Sequence, residues 1–215
     1  MTSSLVLHGY WRSSASYRAR IALNLKGVAY TQVTHDLRTG QQKAPSYVLI
    51  SPQGLVPALV VDDLALIQSG AILEWLEERY PDPALLPARQ EDRAAVRGMC
   101  GLIACDIHPL NNLRVLDHLR NTLEQGDDAI AAWARTWIEE GFHGLETLVR
   151  RHGAGFCFGA RPTLADCYLV PQVYSAGRFG VDLDKYPTLL AVMARAEAVD
   201  AIAQAHPSLQ LDADR

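Results

Sequence analysis

Hydrophobic and polar positions change their rhythm at about residue 81. Before it, short apolar runs alternate with helix-spaced ones. Residues 5–7 read as a strand, 14–26 as a helix ended by Gly27, and 29–33 as a second strand. A polar stretch containing Gly40, Gln41 and Gln42 leads to a short helix near 45–50. Two apolar runs, 58–61 and 64–67, flank Asp62-Asp63, which is a hairpin signal. Ile72, Leu73, Leu76 and Tyr80 then recur at helical spacing behind Ser69, read here as an N-cap. The order is βαβ followed by αββα.

Pro81-Asp82-Pro83-Ala84-Leu85-Leu86-Pro87 breaks the pattern. Beyond it every apolar run has helical spacing. One run covers 91–123 and another 129–151, stopped by Gly153 and Gly155. Thr163-Leu164-Ala165-Asp166 has the form of a capping box opening a buried helix through Val173. Pro187 and Pro207 bracket the last helices, and a frayed tail is expected from Ser208. The predicted fold class is therefore α/β over 1–82 followed by all-α over 90–215, with a linker at about 83–89.

Composition narrows the partners. At 215 residues and 49% hydrophobic, the chain can bury two small cores. A net charge of -4 supplies no basic field for nucleic acid or an anionic membrane surface. No apolar run approaches the roughly 20 residues of a membrane span, and no basic-then-apolar start predicts secretion. Cys100, Cys105, Cys157 and Cys167 form neither a C-x-x-C pair nor a zinc pattern, which predicts reduced thiols and a cytoplasmic protein. The seven histidines form no ligand motif, and no metal site is predicted.

The chemistry-bearing segment is Trp11-Arg12-Ser13-Ser14-Ala15-Ser16, between the first strand and the first helix. Helix-start N–H groups beside serine hydroxyls hold an anion, a thiolate included. The same serines also make an ordinary N-cap, and the segment alone leaves both readings open. It contains no cysteine, which argues against thiol–disulfide exchange. Pro57 cannot donate to a ladder, so Val56-Pro57 sits at a strand start; a cis bond there exposes the Val56 backbone to a peptide-like ligand. Gln68-Ser69 opens the next helix and suits a carboxylate.

Together with Pro52-Gln53-Gly54-Leu55-Val56-Pro57, Cys105-Asp106-Ile107-His108-Pro109-Leu110, Thr163-Leu164-Ala165-Asp166 and Pro171-Gln172-Val173 before Arg178, these blocks run in an order that resembles the glutathione transferases, and within them the zeta class of maleylacetoacetate and maleylpyruvate isomerases. The resemblance implies a thioredoxin-like first domain that binds glutathione, and a helical second domain for substrate and dimer contacts. It implies a catalytic Ser13 facing the glutathione sulfur, with Ser14 beside it. Glutathione contacts are implied for Gln42, Val56, cis-Pro57, Gln68, Ser69, His108 and Asn112. Asp166 is implied as a structural cap. Many zeta proteins carry Ser-Ser-Cys where this chain has Ser13-Ser14-Ala15, so a mechanism that needs a protein thiol there is ruled out.

The implied activity is glutathione-dependent cis–trans isomerisation of a maleyl keto acid, with glutathione regenerated at each turnover. The substrate is a dicarboxylate, and arginine's fork matches carboxylates at two points. Arg12, Arg114 and Arg178 stand at the positions the resemblance favours, whereas Arg18 and Arg20 read as structural. A homodimer is expected. The alternatives are a transferase or peroxidase that consumes glutathione on electrophiles such as haloacids, and a non-catalytic interaction module. Retention of Ser13, Gln68 and Ser69 speaks against the last.

Overall fold

The computed structural model describes residues 4–214. The chain divides into two compact units. One runs through Leu85 and takes in the chain again from Ala198; the other is Leu86–Glu197. The sequence pattern had placed everything after residue 90 with the helical half. The closing segment instead makes its contacts with the first unit, and this corrects both the grouping and the expected frayed tail. Gln210 donates to the Gln204 and His206 carbonyls at 3.2 and 2.9 Å and accepts from Gln32 at 3.1 Å.

The first unit holds a four-stranded sheet in the order β2-β1-β3-β4, built from β1 (Leu5–Gly9), β2 (Thr31–Thr34), β3 (Ala58–Val61) and β4 (Leu64–Ile67). β1 runs parallel to β2 and antiparallel to β3, and β3 is antiparallel to β4. Central β1 alternates buried and half-buried residues, while β2 and β4 at the edges are largely exposed. The second strand begins at Thr31 and not at Ala29. α1 (Ser14–Leu25), short α2 (Pro45–Val48) and α3 (Ser69–Arg79) complete the frame.

Lys26 caps the C-terminus of α1 and forms a buried pair with Glu77 of α3 at 2.6 Å. Lys26 Nζ also donates to Pro83 O at 2.7 Å, and Glu77 accepts the Leu85 N–H at 2.9 Å. A buried ion pair is tolerated when its remaining valences are filled in this way.

In the second unit the helical stretch expected over 91–123 is broken. α4 (Gln90–Gly101) passes into a π-helical segment (Leu102–Ile107), then a 3-10 turn (His108–Asn111), and only then α5 (Leu113–Asn121). Pro109 has no N–H to give and its ring crowds the residue before it, so the α ladder cannot continue through it. The π segment lies against α6 (Asp127–His152): a Cβ on Gly141 would collide with the Ile107 side chain. α7 (Leu164–Arg178) is the buried helix and runs five residues past the expected Val173. Its capping box forms as expected, with Asp166 accepting the N–H groups of Cys157 and Thr163, both at 2.8 Å, and the Thr163 hydroxyl at 2.9 Å. Burial raises the Asp166 carboxyl above its ordinary range, and these three donors oppose that rise. Glu146 caps α8 (Pro187–Glu197) by accepting from Thr188 N and Leu189 N at 3.0 Å each. α9 (Asp200–Ala203) belongs to the first unit. Among the described residues no helix is long and apolar enough to cross a membrane.

Candidate active site

The sheet register gathers most of the predicted residues at one edge of the first unit. Ala58, at the start of β3, pairs with His8 near the end of β1 and with Ile67 at the end of β4. The segments that precede β3, follow β1 and follow β4 therefore emerge together. They carry Val56-Pro57, the turn 10–13 and Gln68-Ser69.

Val56-Pro57 is a cis peptide. Val56 is half-buried and lies outside the β3 ladder, which starts at Ala58. Gln68 precedes α3 with φ 71° and donates from Nε2 to Gln53 Oε1 at 2.6 Å, which ties it to the turn before Val56. Gly54 closes that turn at φ 61°, where a Cβ would meet the Gln42 carbonyl at 3.0 Å. Gln42 is thereby drawn to the same edge. Its side chain is 7% exposed, and Gln42 Oε1 has no hydrogen-bond donor among the described residues. A buried acceptor without a donor fits the N–H of a peptide ligand.

Ser69 is not the N-cap that the sequence suggested. Gln68 holds that position, no side chain caps the helix, and Ser69 is the first helical residue. The Ser69 hydroxyl instead accepts from Arg18 Nη1 at 3.4 Å, linking α3 to α1. Ser13 is the N-cap of α1, and its Oγ accepts the Ser16 N–H at 3.2 Å. Capping leaves the Ser13 hydroxyl proton for another acceptor. Ser14 opens α1 and is 8% exposed. Arg12 is half-buried, its guanidinium 5.5 Å from the Trp11 ring centroid.

The other four predicted residues belong to the second unit. His108 opens the 3-10 turn and is half-buried. Asn112 caps α5, its Oδ1 accepting the Arg114 N–H at 3.2 Å, so a folding role accounts for part of its side chain. Arg114 is exposed on α5, and Arg178 is exposed as the last residue of α7.

Arg18 and Arg20 are structural, as expected, bonding Ser69 and the Tyr10, Trp11 and Ala205 carbonyls, whereas sequence reasoning missed Asp212. Arg18 and Arg20 lie almost fully buried on α1, and Asp212 reaches the site turn from the closing segment. Nothing local announced Asp212.

A histidine pair stands behind the loop that carries Gln42. His8 Nδ1 and His35 Nε2 are 3.0 Å apart, and the His35 ring lies 4.1 Å from that of Tyr47. Burial lowers both imidazole pKa values, and for His8 the charge of His35 lowers it further. A depressed pKa means that the unfolded chain takes up the protons first. Stability contributed by the neutral pair is thus present above about pH 6.5 and is lost as pH falls below it. Melting temperature should decline from pH 7.5 to 5.5. A variant lacking both imidazoles should decline less, and an equal slope would remove the pair as the source.

Residues 7–84 match the family model for the glutathione S-transferase N-terminal domain. The chain is 49% identical over 208 residues to a maleylpyruvate isomerase of a Ralstonia species, covering 96% of this chain and 98% of that one. Among solved structures it is similar to a holo maleylpyruvate isomerase described as a bacterial zeta-class glutathione S-transferase, with TM-score 0.96, 48% identity, and coverage of 97% and 100%. It is also similar to the maleylacetoacetate isomerase of Anaeromyxobacter dehalogenans 2CP-1, solved with dicarboxyethyl glutathione and citrate bound, with TM-score 0.89, 42% identity, and coverage of 100% and 99%. The sheet order, the cis Val56-Pro57 edge and the helical second unit define a glutathione transferase. Within that class, the chain belongs to the zeta-class family of maleylacetoacetate and maleylpyruvate isomerases.

Proposed function

We infer that this protein is a glutathione-dependent isomerase that converts a maleyl keto acid to its fumaryl isomer. The observation that carries the reading is the meeting, on one sheet edge, of a serine-capped helix start, a cis Val56-Pro57 turn and the Gln68-Ser69 helix start, in a chain that matches such isomerases over nearly its whole length.

In this reading the Val56 backbone pairs with the peptide part of glutathione. Gln68 and Ser69 hold its γ-glutamyl carboxylate at the N-terminus of α3, and Gln42 meets the glycyl end. When bound, glutathione supplies a thiolate that adds reversibly to the cis double bond, which becomes single and free to rotate before elimination restores it as trans. A free thiol has a pKa near 8.5, so only a few per cent is ionised at neutral pH. Ser13 donates its hydroxyl proton toward the sulfur position, and the N–H it accepts from Ser16 polarises that hydroxyl. The first N–H groups of α1, which have no partner within the helix, add to the positive field there.

At least one of Arg12, Arg114 and Arg178 binds a substrate carboxylate, with Arg178 the first choice. A net charge of -4 makes such local positive charge necessary for capture of a dianion. The protein acts as a homodimer, as closed two-fold assemblies commonly do; a monomeric mass at micromolar concentration would refute that. Maleylacetoacetate and maleylpyruvate differ by one methylene, worth about 1–3 kcal/mol of discrimination, and both names occur among the relatives.

The test is to assay both keto acids with the purified protein. Formation of the trans isomer should require glutathione and be absent without it. Arg178→Ala should raise KM for the keto acid and leave glutathione affinity nearly unchanged, with Arg178→Lys recovering only in part. If alanine at each of the three arginines leaves kcat/KM intact, the arginines do not hold the dicarboxylate.

A further inference from the structure

The Trp11 peptide is held between opposite charges that come from distant parts of the chain. Its N–H donates to Asp212 Oδ2 at 3.0 Å, and its carbonyl accepts from Arg20 Nη2 at 3.0 Å. Arg20 is 1% exposed. Its Nε donates to the Ala205 carbonyl at 3.1 Å and its Nη1 to the Tyr10 carbonyl at 3.4 Å. Burial lowers the Arg20 pKa to about 10, against the opposing influence of Tyr30, Tyr17 and, least, Asp212. The Arg20 and Asp212 side chains thus hold the N–H and the carbonyl of a single residue of the turn. The turn's other anchors are local: Tyr10 N to Ser16 Oγ at 3.4 Å and Ser13 N to Tyr10 O at 3.1 Å.

The next two residues after Trp11 are Arg12 and Ser13. We propose that Asp212 is a positioning residue for the reaction: by holding the Trp11 N–H it fixes the turn that presents Arg12 and Ser13, and it makes the C-terminal segment a working part of the active site. The proposal rests on the function inferred above for the roles of Arg12 and Ser13.

Asp212 is suited to this because its own place is set independently of Trp11. Two residues before it, Gln210 is bonded to Gln32 of β2 and to the Gln204 and His206 carbonyls. Two residues after it, Asp214 pairs with Arg38 through both carboxylate oxygens at 2.9 Å, and Arg38 in turn holds Asp36. The alternation continues at Leu211, which points outward and is 86% exposed. The segment is thus tied to the first unit on both sides of Asp212, through buried Gln210 and through the exposed Asp214–Arg38 pair. The Trp11 N–H falls between the end of β1 and the start of α1, where neither ladder offers it a partner. A carboxylate is the stronger kind of acceptor for such a group.

The experiment compares Asp212→Ala with Asp212→Asn, which keeps an acceptor oxygen of the same shape. Three quantities are read on the full-length protein: the pKa of the bound glutathione thiol from its ultraviolet thiolate absorbance, glutathione affinity, and kcat with KM on the keto acid. Asp212→Ala should lower kcat about tenfold, because small misplacements of positioned groups cost that much or more. It should also raise the bound thiol pKa by about half a unit to one unit, with glutathione affinity held within about twofold. Asp212→Asn should recover most of both losses. An alanine variant that keeps its thiol pKa and kcat, however much its melting temperature falls, overturns the proposal. So does an asparagine variant as impaired as alanine. If the unaltered protein fails to isomerise either keto acid, the functional reading fails, and the thiol titration still decides the role of Asp212.

Discussion

Ser13→Ala lowers kcat by about two orders of magnitude, the usual cost of losing one hydrogen-bond donor aimed at a reacting anion. Glutathione affinity falls far less, because in the function proposed above Val56, Gln68, Ser69 and Gln42 hold the peptide and not the sulfur. The bound thiol titrates at higher pH, since the hydroxyl favours the anion only. Ser13 also caps α1 by accepting the Ser16 N–H, so the variant loses about 1 kcal/mol of stability besides. Ser13→Thr separates the two effects, for it keeps a hydroxyl that can both cap and donate. Stopped-flow kinetics and thiolate absorbance measure the change. A crippled Ser14→Ala beside a near-normal Ser13→Ala would mean that the wrong hydroxyl has been assigned.

Asp166→Ala destabilises the protein by about 3 kcal/mol or more. The Asp166 side chain is 0% exposed and accepts three donors: the N–H groups of Cys157 and Thr163 and the Thr163 hydroxyl. Alanine leaves all three buried without an acceptor, at about 1–3 kcal/mol for each that stays unsatisfied. The damage falls at the start of α7, the most deeply buried helix of the second unit. Chemical denaturation measures the loss. Asp166→Asn should lose less, because it can still accept but must also find a partner for its new amide protons. A denaturation midpoint close to that of the unaltered protein would show that the capping box matters little to the fold.

The legible part of the fold was where local chemistry and tertiary packing agree. β3 and β4 take the expected bounds, 58–61 and 64–67, because the Asp62-Asp63 turn and the apolar runs beside it leave no other pairing. The capping box formed for the same reason, its partners being three residues apart. Helical spacing over 91–123 misled, since a 3.6-residue period survives through a π segment and a 3-10 turn that Pro109 alone signals. Gln68 took the left-handed conformation at the head of α3, a region that residue type does not announce for glutamine, and Ser69 was released to accept from Arg18.

Site residues of the first unit could be read as three local signals, and the register of β1, β3 and β4 explains why three separated segments share one edge. Those of the second unit were legible only through resemblance, for a lone histidine or arginine on a helix carries no message of its own. The partners of Arg20 were hidden because they are backbone carbonyls, at Tyr10, Trp11 and Ala205, and any residue type supplies those. Asp212 was hidden because its contact with Trp11 spans 201 positions of sequence.

The central claim is that glutathione acts as a catalyst here and is not consumed. The most direct measurement supplies glutathione far below the keto acid concentration and follows both the trans product and the free thiol to completion. The account predicts full conversion with the titratable thiol unchanged. Conversion that stops after one equivalent of glutathione, with the thiol lost in step, would contradict it and make the protein a conjugating transferase.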